Sequence, residues 1–572
     1  MSHPRRNPWR DAAILTLLCA VAYTAGLTTH GLTNWQEARR AVVGREMFRN
    51  NEWIVPTYFD EPYIAKPPMI YWAQILIGHT RAALGATPFH DETELRLTVA
   101  LAGILGVLAT YFAARSILLH RTDPALSDDA AWLGALGLAA GVLYFRSSRI
   151  GELDVLTVPF VVTAVAALAH AHRQSRHLRR TPWTAVALAA VAATLAALTK
   201  GPPALLVIAL AGYLPMLLSD PSGTIDEPRW KRAASIAAAL GFCLATFAAW
   251  LIAPRVHFPM DWLGLIFFGA VGAVIAVAIV RLSDPPRAWE SFLTLAHTHP
   301  LLVLGLPMLA VWAWGRMVSS RIGAETVTTL AAAELDDNLR LLVLDSPAKN
   351  IGFMLYGLAP ISLAMIAGLA WIARTRPPLT AGQRVPIVWC AAGLAAFSVA
   401  GKGVARYLTP VWPGVAMLGG FWLAHIIRDS ERKLGHRRLR FAAAAVAILS
   451  MLVQTWWYGL GREIYFGDRS PRKFMQELLP KAPATALATW KMDEPAIDFY
   501  AEHRLPILET DARLIDLATE HGTLVLIGRT AQANEWVSQA LHAGLTVNGI
   551  ELRARYRWRA DGERIGAWRI AR

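Results

Sequence analysis

Long apolar stretches separated by short polar turns recur along the first 460 residues or so of the chain. Many of these stretches contain about 17 to 25 residues, the length that an α-helix needs to cross a bilayer. We predict thirteen membrane spans, at approximately residues 12–29, 96–118, 130–147, 153–171, 183–199, 202–218, 233–253, 262–281, 300–316, 351–373, 385–400, 407–427 and 440–459. The pattern therefore predicts a mainly α fold, a polytopic bundle of membrane helices.

After about residue 458 the pattern changes, because the remaining residues are charged and contain no span. Alternating and amphipathic patterns predict a small α/β domain there. We expect buried strands at 484–490 and 523–529, amphipathic helices at 493–503 and 530–541, and a strand pair within 547–558. The sequence thus divides into a membrane domain, residues 1–459, and an α/β domain, residues 460–572.

The distribution of Lys and Arg gives an orientation for these spans. The basic segments at the N-terminus and after the fourth, tenth and twelfth spans all fall on one side of the membrane. Loops rich in Lys and Arg remain in the cytoplasm. We therefore expect a bacterial inner-membrane protein with a cytoplasmic N-terminus and a periplasmic C-terminus. The long loop at 30–95 then lies on the periplasmic side.

Composition narrows the choice of function. The chain is 55% hydrophobic and 17% charged, and its net charge is +14. Much of the basic excess lies in short loops, where it sets the topology of the spans. We therefore expect the chain to lie in a lipid bilayer and not to bind nucleic acid. The three cysteines lie in apolar segments and form no metal-binding or disulfide pattern. No phosphate-binding or dinucleotide-binding glycine motif occurs in the required context, which argues against ATP-driven transport.

The loop between the first two spans carries the densest candidate chemistry, from Asn34 to Trp72. Glu37 is a candidate general base near the membrane surface, or it pairs with a neighbouring arginine. Lys66 precedes two prolines and follows Tyr63, so it is a candidate phosphate ligand, or an ordinary lysine reaching the interface. Arg39 is a further candidate for binding an anionic substrate.

Other candidate residues lie at turns predicted on the same face. Asp154 enters the fourth span and either pairs with a loop arginine or caps a helix. Four cationic residues are candidate substrate-binding groups: Lys200, Arg340, Lys402 and Arg406. Arg340 lies in a segment with the pattern of an interfacial helix, whose solvated face is the alternative explanation. Several cationic turns on one face favour a shared site for an anionic group.

Five segments occur in an order that resembles the bacterial lipid A aminoarabinose transferases, within the protein O-mannosyltransferase-like group of C-type glycosyltransferases. They are WQEARRAVVGREM, EPYIAKPPMIYW, SRIGELDVLTVPF, LTKGPP and FS…K…RYLTPVWP. The resemblance implies a glycosyltransferase that moves a sugar, with inversion, from a polyprenyl-phosphate carrier to a glycolipid or protein acceptor. Lys66 then matches the phosphate-binding lysine, Asp154 the aspartate of the fourth span, and Arg340 the loop arginine.

This chain departs from the family pattern at three positions of the first loop. The family's Asp-Glu-Ala-Arg-Tyr has Gln36 at its Asp position and Arg40 at its Tyr position, whereas Glu37 and Arg39 are retained. The family's glutamate before Lys-Pro-Pro is Ala65, so a suggested metal ligand is missing and we expect no tightly bound metal and no cofactor. Residues 255–330 resemble an insertion.

Two further functions remain as alternatives. A transporter of lipid or solute is expected to carry charges at mid-membrane and to show repeat symmetry, whereas the unusual charges here gather on one face. A non-catalytic protein that binds a polyprenyl lipid agrees with the loss of the family aspartate at Gln36. The sequence leaves the sugar and the acceptor open.

Overall fold

In a computed structural model of the chain, the described residues are 6–119, 123–178, 180–217, 296–338, 346–377, 379–399, 403–434, 438–482, 486–558 and 563–572. They form two compact units. Unit 1 contains residues 1–24, 64–70 and 98–454, and unit 2 contains residues 25–63, 71–97 and 455–572. Most of the loop predicted at 30–95 thus belongs to the same unit as the C-terminal residues. The sequence division at residue 459 stays a prediction.

The described α-helices are numbered here in chain order. They are α1 (Pro8–Thr24), α2 (Trp35–Arg49), α3 (Met69–Ala83), α4 (Thr93–Ile117), α5 (Pro124–Ala139), α6 (Val142–Ser147), α7 (Asp154–Leu178), α8 (Trp183–Lys200), α9 (Pro202–Ile208), α10 (Leu214–Leu217), α11 (Pro300–Ile322), α12 (Ala324–Asn338), α13 (Ser346–Gly357), α14 (Ile361–Thr375), α15 (Ala381–Val399), α16 (Trp412–Leu434), α17 (Arg438–Trp456), α18 (Arg462–Phe466), α19 (Arg472–Leu478), α20 (Pro495–Ala501), α21 (Asp511–His521) and α22 (Ala533–His542).

Unit 1 is a helical bundle. Helix α16 packs against α5, α14 and α15, while α8 packs against α7 and α11. Small residues allow close approach, since a Cβ on Gly420 would lie 2.4 Å from the Ala130 carbonyl oxygen. Buried ion pairs also join helices, including Arg115 on α4 with Asp128 on α5 at 2.8 Å. Such pairs are expected where charged side chains lie inside a membrane bundle.

Within the described residues, six helices are long and apolar enough to cross a membrane, or seven if one bent pair counts as a single span. The six are Thr93–Ile117, Asp154–Arg176, Trp183–Lys200, Pro300–Ile322, Ala405–Ser430 and Leu439–Arg469. Each overlaps a predicted span, so a chain with several apolar helices is confirmed. The predicted spans at 233–253 and 262–281 lie outside the described residues, and the total of thirteen stays a prediction.

Two predicted spans are interrupted. The predicted span at 351–373 is two helices, Pro347–Gly357 and Ile361–Thr375, bent by 112° at the break. Pro360 is the last residue of the break, and proline disfavours helical backbone at the residue before it. The predicted span at 130–147 is also divided, since α5 ends at Ala139 and α6 begins at Val142. Because the apolar composition continues through both breaks, the hydrophobic pattern did not predict either interruption.

Unit 2 contains all the described strands. They are β1 (Thr57–Tyr58), β2 (Glu61–Pro62), β3 (Leu487–Trp490), β4 (Ile507–Leu508), β5 (Thr523–Arg529), β6 (Thr546–Gly549), β7 (Tyr556–Trp558) and β8 (Glu563–Ala571). The first two form an antiparallel hairpin, and the others form one sheet in the order β4-β3-β5-β8-β6, with β7 also paired to β8. The pairings of β3 with β4 and β5 are parallel, and those of β8 are antiparallel.

Helices cover both faces of this sheet. One hydrophobic core joins β5 and β8 to α19 and α20, and it includes Phe474, Ile497 and Val525. The other joins the opposite face to α21 and α22, with Trp490 and Trp536 at its centre. The predicted strands at 484–490 and 523–529 and the predicted helices at 493–503 and 530–541 are confirmed within a few residues. The predicted strand pair is wrong in its pairing, because β6 and β7 each pair with β8 rather than with each other.

Candidate functional site

In unit 1, two predicted site residues form a buried ion pair. Asp154 begins α7 and Lys200 ends α8, and the Lys200 ammonium donates a hydrogen bond to the Asp154 carboxylate. Their side chains are 2% and 10% exposed, respectively. We expected an arginine of the outer loop as the partner of Asp154, whereas the structure provides Lys200. Because both side chains are buried, removal of either charge would leave the other without compensation.

Further cationic residues surround this pair. A 3₁₀ segment at Ala405–Val411 carries Arg406 and Tyr407, and the Lys200 ammonium lies 4.7 Å from the centre of the Tyr407 ring. Lys66 and Arg406 both lie near enough to Lys200 to repel its charge. We name Lys66, Asp154, Lys200 and Arg406 the cationic cluster. Three cations therefore lie close to one another, and a bound anion would offset their mutual repulsion.

Two predicted residues of this set cannot be placed in the cluster. Lys402 and Arg340 lie outside the described residues. Their roles stay predictions. Within the described part of the chain, Arg406 forms no ion pair with a carboxylate, and its guanidinium lies 5.5 Å from the Tyr407 ring centre. The Arg406 guanidinium therefore makes a cation–π contact with Tyr407, and this contact does not neutralise its charge.

In unit 2, α2 presents the remaining predicted residues. Asn34 caps the helix, since its side-chain oxygen accepts a hydrogen bond from the Gln36 amide at 2.9 Å. Glu37 lies in the first turn, is 1% exposed, and forms an ion pair with Arg96 of α4 at 2.8 Å. Arg96 also donates to the carbonyl oxygens of Leu27 and His30, at 2.8 and 2.7 Å. Glu37 is thus held by an arginine that the sequence analysis did not select.

Arg96 is the main residue that sequence reasoning missed. It was placed at the first position of the second predicted span, and it is fully buried. A charged residue at the start of an apolar helix requires a partner, and that requirement was the available signal. The partner, Glu37, is 59 residues away, too far for local spacing to identify it. His30 lies nearby, and burial together with the charges of Arg96 and Arg462 lowers its pKa to about 3.

Arg39 lies among three aromatic rings. Its guanidinium carbon is 3.7 Å from the centre of the Trp35 ring, 5.2 Å from that of Tyr58 and 5.4 Å from that of Tyr63. Its Nε atom is buried without a hydrogen-bond partner, and within the described residues Arg39 forms no ion pair. Cation–π contacts orient a guanidinium without neutralising it. This arginine therefore retains its positive charge for an anion.

A tight hairpin positions two of these rings. Phe59 and Asp60 connect β1 to β2 with φ values of 51° and 62°, which non-glycine residues rarely adopt. The carboxylate of Glu46 on α2 accepts hydrogen bonds from both amides, at 2.6 and 3.3 Å. These bonds offset the strained backbone and tie the hairpin to the helix that carries Arg39. Tyr58 and Tyr63, on either side of the hairpin, are thereby placed beside it.

The two sets of residues belong to different units. The cationic cluster is in unit 1, whereas Glu37, Arg39 and Tyr63 are in unit 2. Within the described residues, no group of three or more His, Cys, Asp and Glu side chains has the arrangement of a metal site. The expectation that no metal or cofactor takes part stays a prediction. The chemistry available is that of fixed cations, aromatic rings and buried carboxylates.

Comparison with known proteins links this arrangement to one family. Residues 74–258 match the model of the dolichyl-phosphate-mannose-protein mannosyltransferases. The matched segment includes Arg96, Asp154 and Lys200. An undecaprenyl phosphate-alpha-4-amino-4-deoxy-L-arabinose arabinosyl transferase of Pseudomonas aeruginosa is 30% identical over 242 residues, covering 41% of this chain and 39% of the relative. The chain thus spans about two fifths of the length of the curated relatives that it matches.

Solved structures share the fold over far more of the chain. The crystal structure of ArnT from Cupriavidus metallidurans bound to undecaprenyl phosphate matches with a TM-score of 0.56 at 16% identity, covering 97% of both chains. The archaeal oligosaccharyltransferase AglB of Archaeoglobus fulgidus, solved with an inhibitory peptide and a dolichol-phosphate, gives a TM-score of 0.52 at 14% identity. It covers 93% of this chain and 71% of AglB. The predicted resemblance is confirmed as a similarity: the chain resembles these aminoarabinose transferases in sequence over about two fifths of its length, and it shares the fold of ArnT and AglB over more than nine tenths of its length.

Proposed function

We propose that the chain is a membrane glycosyltransferase that moves a sugar from a polyprenyl-phosphate carrier to a glycolipid or protein acceptor. The observation that carries this proposal is the close approach of three cationic side chains, Lys66, Lys200 and Arg406. Cations held close together favour an anionic ligand, and within the described residues Arg406 has no acidic partner. The curated relatives are named for a donor of undecaprenyl phosphate type, and the ArnT structure contains undecaprenyl phosphate.

The chemistry follows from this charge. A nucleophilic oxygen or nitrogen of the acceptor attacks the anomeric carbon, the bond from that carbon to the phosphate oxygen breaks, and polyprenyl phosphate leaves with inversion at the sugar. Negative charge develops on the leaving phosphate, where fixed cations lower the barrier because they need little reorganisation. Lys66, Lys200 and Arg406 are proposed to supply this positive charge. Arg39 and Tyr63 stay proposed substrate-binding residues of the loop at 30–95. Holding the donor and acceptor at one interface contributes through orientation.

The proton of the acceptor needs a base, for which Glu37 is our candidate, and Asp154 is the second carboxylate that we propose takes part in catalysis. Both carboxylates are buried and ion-paired, Glu37 with Arg96 and Asp154 with Lys200. A paired carboxylate is a weaker base. The geometry therefore supports an additional role for Glu37 in orienting α2, and a corresponding role for Asp154 in holding Lys200. Replacement of each by its amide separates these roles, because a positioning carboxylate tolerates the amide better than a base does.

The protein is proposed to lie in the bacterial inner membrane with thirteen spans, a cytoplasmic N-terminus and a periplasmic C-terminus. The sequence distribution of Lys and Arg supports this orientation, and the apolar helices support a polytopic chain. Cysteine-accessibility labelling at the turn before Asp154 and in the C-terminal domain tests the orientation. Labelling of both positions from the cytoplasmic side alone contradicts it.

The activity is tested with purified protein in vesicles containing labelled undecaprenyl-phosphate aminoarabinose and either lipid A or a protein acceptor. We expect transfer by the wild type. Lys66→Ala is expected to lower kcat/KM about 10- to 100-fold, since a hydrogen bond to a charged group contributes roughly 1.5–3 kcal/mol. Lys473→Ala is the control, because this lysine is largely exposed and pairs with Glu463. Wild-type transfer by Lys66→Ala, Glu37→Gln and Arg406→Gln together would contradict the assigned roles.

The same vesicles distinguish the two alternative functions. Movement of the labelled lipid between leaflets without any transfer of sugar would favour a transporter. Binding of undecaprenyl phosphate without turnover by the wild type would favour a non-catalytic lipid-binding protein. Gln36 keeps the latter as a second candidate, because the resemblance places the family's aspartate at this position.

A further inference from the structure

A buried polar network in unit 2 connects the C-terminal α/β domain to the outer loop. Glu92, which directly precedes α4, is fully buried. Its carboxylate accepts hydrogen bonds from the Tyr500 hydroxyl on α20 and from the Arg472 guanidinium on α19, the latter at 3.2 Å. Two residues of the C-terminal domain therefore converge on one carboxylate of this loop.

The same two residues also hold the loop backbone. Arg472 donates hydrogen bonds to the carbonyl oxygens of Thr28 and Thr29 at 2.9 Å. The Tyr500 hydroxyl accepts a hydrogen bond from the Leu32 amide, also at 2.9 Å. Each contact lies within the segment that leads into the capping residue of α2. The start of α2 is thereby fixed by side chains more than 400 positions later in the sequence.

Close approach at Gly31 shows how tightly the segment is held. A Cβ at this position would lie 2.2 Å from the Ser470 hydroxyl oxygen and 2.6 Å from the Tyr500 hydroxyl oxygen. Such distances are far shorter than van der Waals contact, so any larger residue must displace the network. Glycine is needed here for space, and its φ is not unusual.

Helix α4 carries the connection onward to Glu37. Arg96 lies one helical turn after Glu92, and its amide donates to the Glu92 carbonyl oxygen at 3.0 Å. Its guanidinium holds Glu37 at 2.8 Å. A second connection joins the middle of α2 directly to the domain, since Arg45 donates to the Phe499 carbonyl oxygen at 2.7 Å. The first turn and the middle of α2 are therefore both anchored.

We propose that Glu92, Arg472 and Tyr500, together with the Arg96–Glu37 ion pair, form a brace through which the C-terminal domain positions Arg39 for the donor phosphate. These are positioning residues, because they act through the orientation of α2. The inference rests on the proposed function for its effect on transfer. The structural effect, a fixed α2, is measurable without any transfer.

The structural effect is tested by hydrogen–deuterium exchange of the full chain in nanodiscs. Tyr500→Phe removes the hydroxyl and preserves the ring, and Arg472→Gln removes the charge. We expect about tenfold faster exchange within residues 35–49, because buried hydrogen bonds that restrain local opening are lost. Exchange in α7 and α8 is expected to remain unchanged. Unaltered exchange at residues 35–49 in both variants would overturn the brace, whatever the protein catalyses.

The functional effect is tested by combining the same variants with Arg39→Gln. Tyr500→Phe is expected to lower sugar transfer about tenfold when Arg39 is present, and to have little further effect when Arg39 is absent. A general loss of stability would lower transfer equally in both backgrounds. Equal losses, or faster exchange with unchanged transfer, would overturn the positioning role. An inactive wild type would instead contradict the proposed function. The hydrogen–deuterium exchange of residues 35–49 would then still show whether the brace fixes α2.

Two controls test whether any contact of the domain has the same effect. Arg504→Gln breaks an ion pair with Glu61 that joins the domain to the hairpin, but both side chains are exposed. Lys491→Gln breaks an exposed pair with Glu535 inside the domain. Both variants are expected to change exchange at residues 35–49 and transfer by less than about twofold, because exposed pairs contribute little. A tenfold effect of Lys491→Gln would contradict a specific brace.

Discussion

The cationic cluster of unit 1 and the brace of unit 2 are both built from buried or half-buried charges, but the balance of positive and negative charge differs. In the cluster, Lys66 and Arg406 lie close to the Lys200–Asp154 pair, and within the described residues Arg406 has no acidic partner. In the brace, the Glu37–Arg96 and Glu92–Arg472 pairs sum to zero, and their remaining donors bind backbone carbonyls. Both sets combine basic side chains with carboxylates.

This difference separates a binding site from a support. When two buried charges are paired and hydrogen-bonded to each other, the stability of the fold depends on both. Removing one side chain leaves the other charge buried without compensation. Unbalanced charges gain most from a ligand of opposite sign. On this basis we propose that Arg406 binds substrate and that Arg96 supports the fold, although both are cationic residues near apolar segments.

The largest effect is expected from breaking the balanced set. Arg96→Met leaves the Glu37 carboxylate buried without its guanidinium, which costs about 3–5 kcal/mol. The double variant Glu37→Leu with Arg96→Met removes both charges and is expected to recover much of this loss. Thermal unfolding in detergent, followed by tryptophan fluorescence, measures both. A double variant less stable than Arg96→Met would show that the charges are not paired as described.

A smaller effect, on function alone, is expected from the unbalanced set. Arg406→Gln removes a cation that has no acidic partner within the described residues, so the unfolding temperature is expected to change little. The affinity for undecaprenyl phosphate is expected to fall about tenfold, with a weaker dependence on salt. Binding titrations at two ionic strengths measure this. Lower stability with unchanged affinity would place Arg406 with the structural charges.

Asp498 extends the comparison to the dependence of stability on pH. Burial raises its pKa to about 7, with Asp493 and Glu494 adding to the rise and Arg504 opposing it. Its carboxyl accepts a hydrogen bond from the Leu505 amide at 3.1 Å, and the Tyr58 hydroxyl lies 3.5 Å away. It is thus a buried acid of unit 2 without a cationic partner as close as those of Glu37 and Glu92.

The sign of the pH effect follows from this raised pKa. Between about pH 4 and 7 the folded chain holds a proton that the unfolded chain has released, so this stability is lost as pH rises through about 7. The loss is at most roughly 4 kcal/mol, at about 1.4 kcal/mol for each pKa unit. Asp498→Asn is expected to remove this dependence. Unfolding temperatures at pH 5 and pH 8 measure the pH dependence of stability. The difference between the variant and the wild type isolates the contribution of Asp498 from that of other groups such as His30. If the variant and the wild type change equally between the two pH values, the raised pKa is contradicted.

The smallest effect is expected from the exposed ion pair of Arg504 with Glu61. Arg504→Gln is expected to destabilise the chain by about 0.2–1 kcal/mol, since water screens the pair. Thermal unfolding at low and high salt measures this difference, which is expected to shrink with salt. A loss as large as that of Arg96→Met would mean that burial does not decide the energetic role of these charges.

Hydrophobic patterning predicted the mainly helical membrane chain, because a bilayer imposes length and composition on every span. It also predicted the helices and strands of the α/β domain at α20, β5 and α22. It failed at the bend before Ile361 and at the division between α5 and α6, where apolar composition continues through a backbone break. It also failed at β6 and β7, whose shared partner β8 lies later in the chain.

The candidate residues divide in the same way. Ordered motifs selected Lys66, Asp154, Lys200 and Arg406, because their turns fall on one predicted face. The sequence did not provide the partner of Asp154 or the role of Arg96, since each ion pair joins segments separated by about fifty residues. Arg39 was selected as a cation, but only the fold placed the rings of Trp35, Tyr58 and Tyr63 around it.

The sequence by itself determined which segments are apolar enough to enter a membrane and which turns carry the unusual charges, because both depend on residue type and local spacing. The tertiary structure alone decided which charges neutralise each other and which remain available to a ligand. Electrostatic interaction depends on distance and burial, and both are set by contacts between residues far apart in the chain.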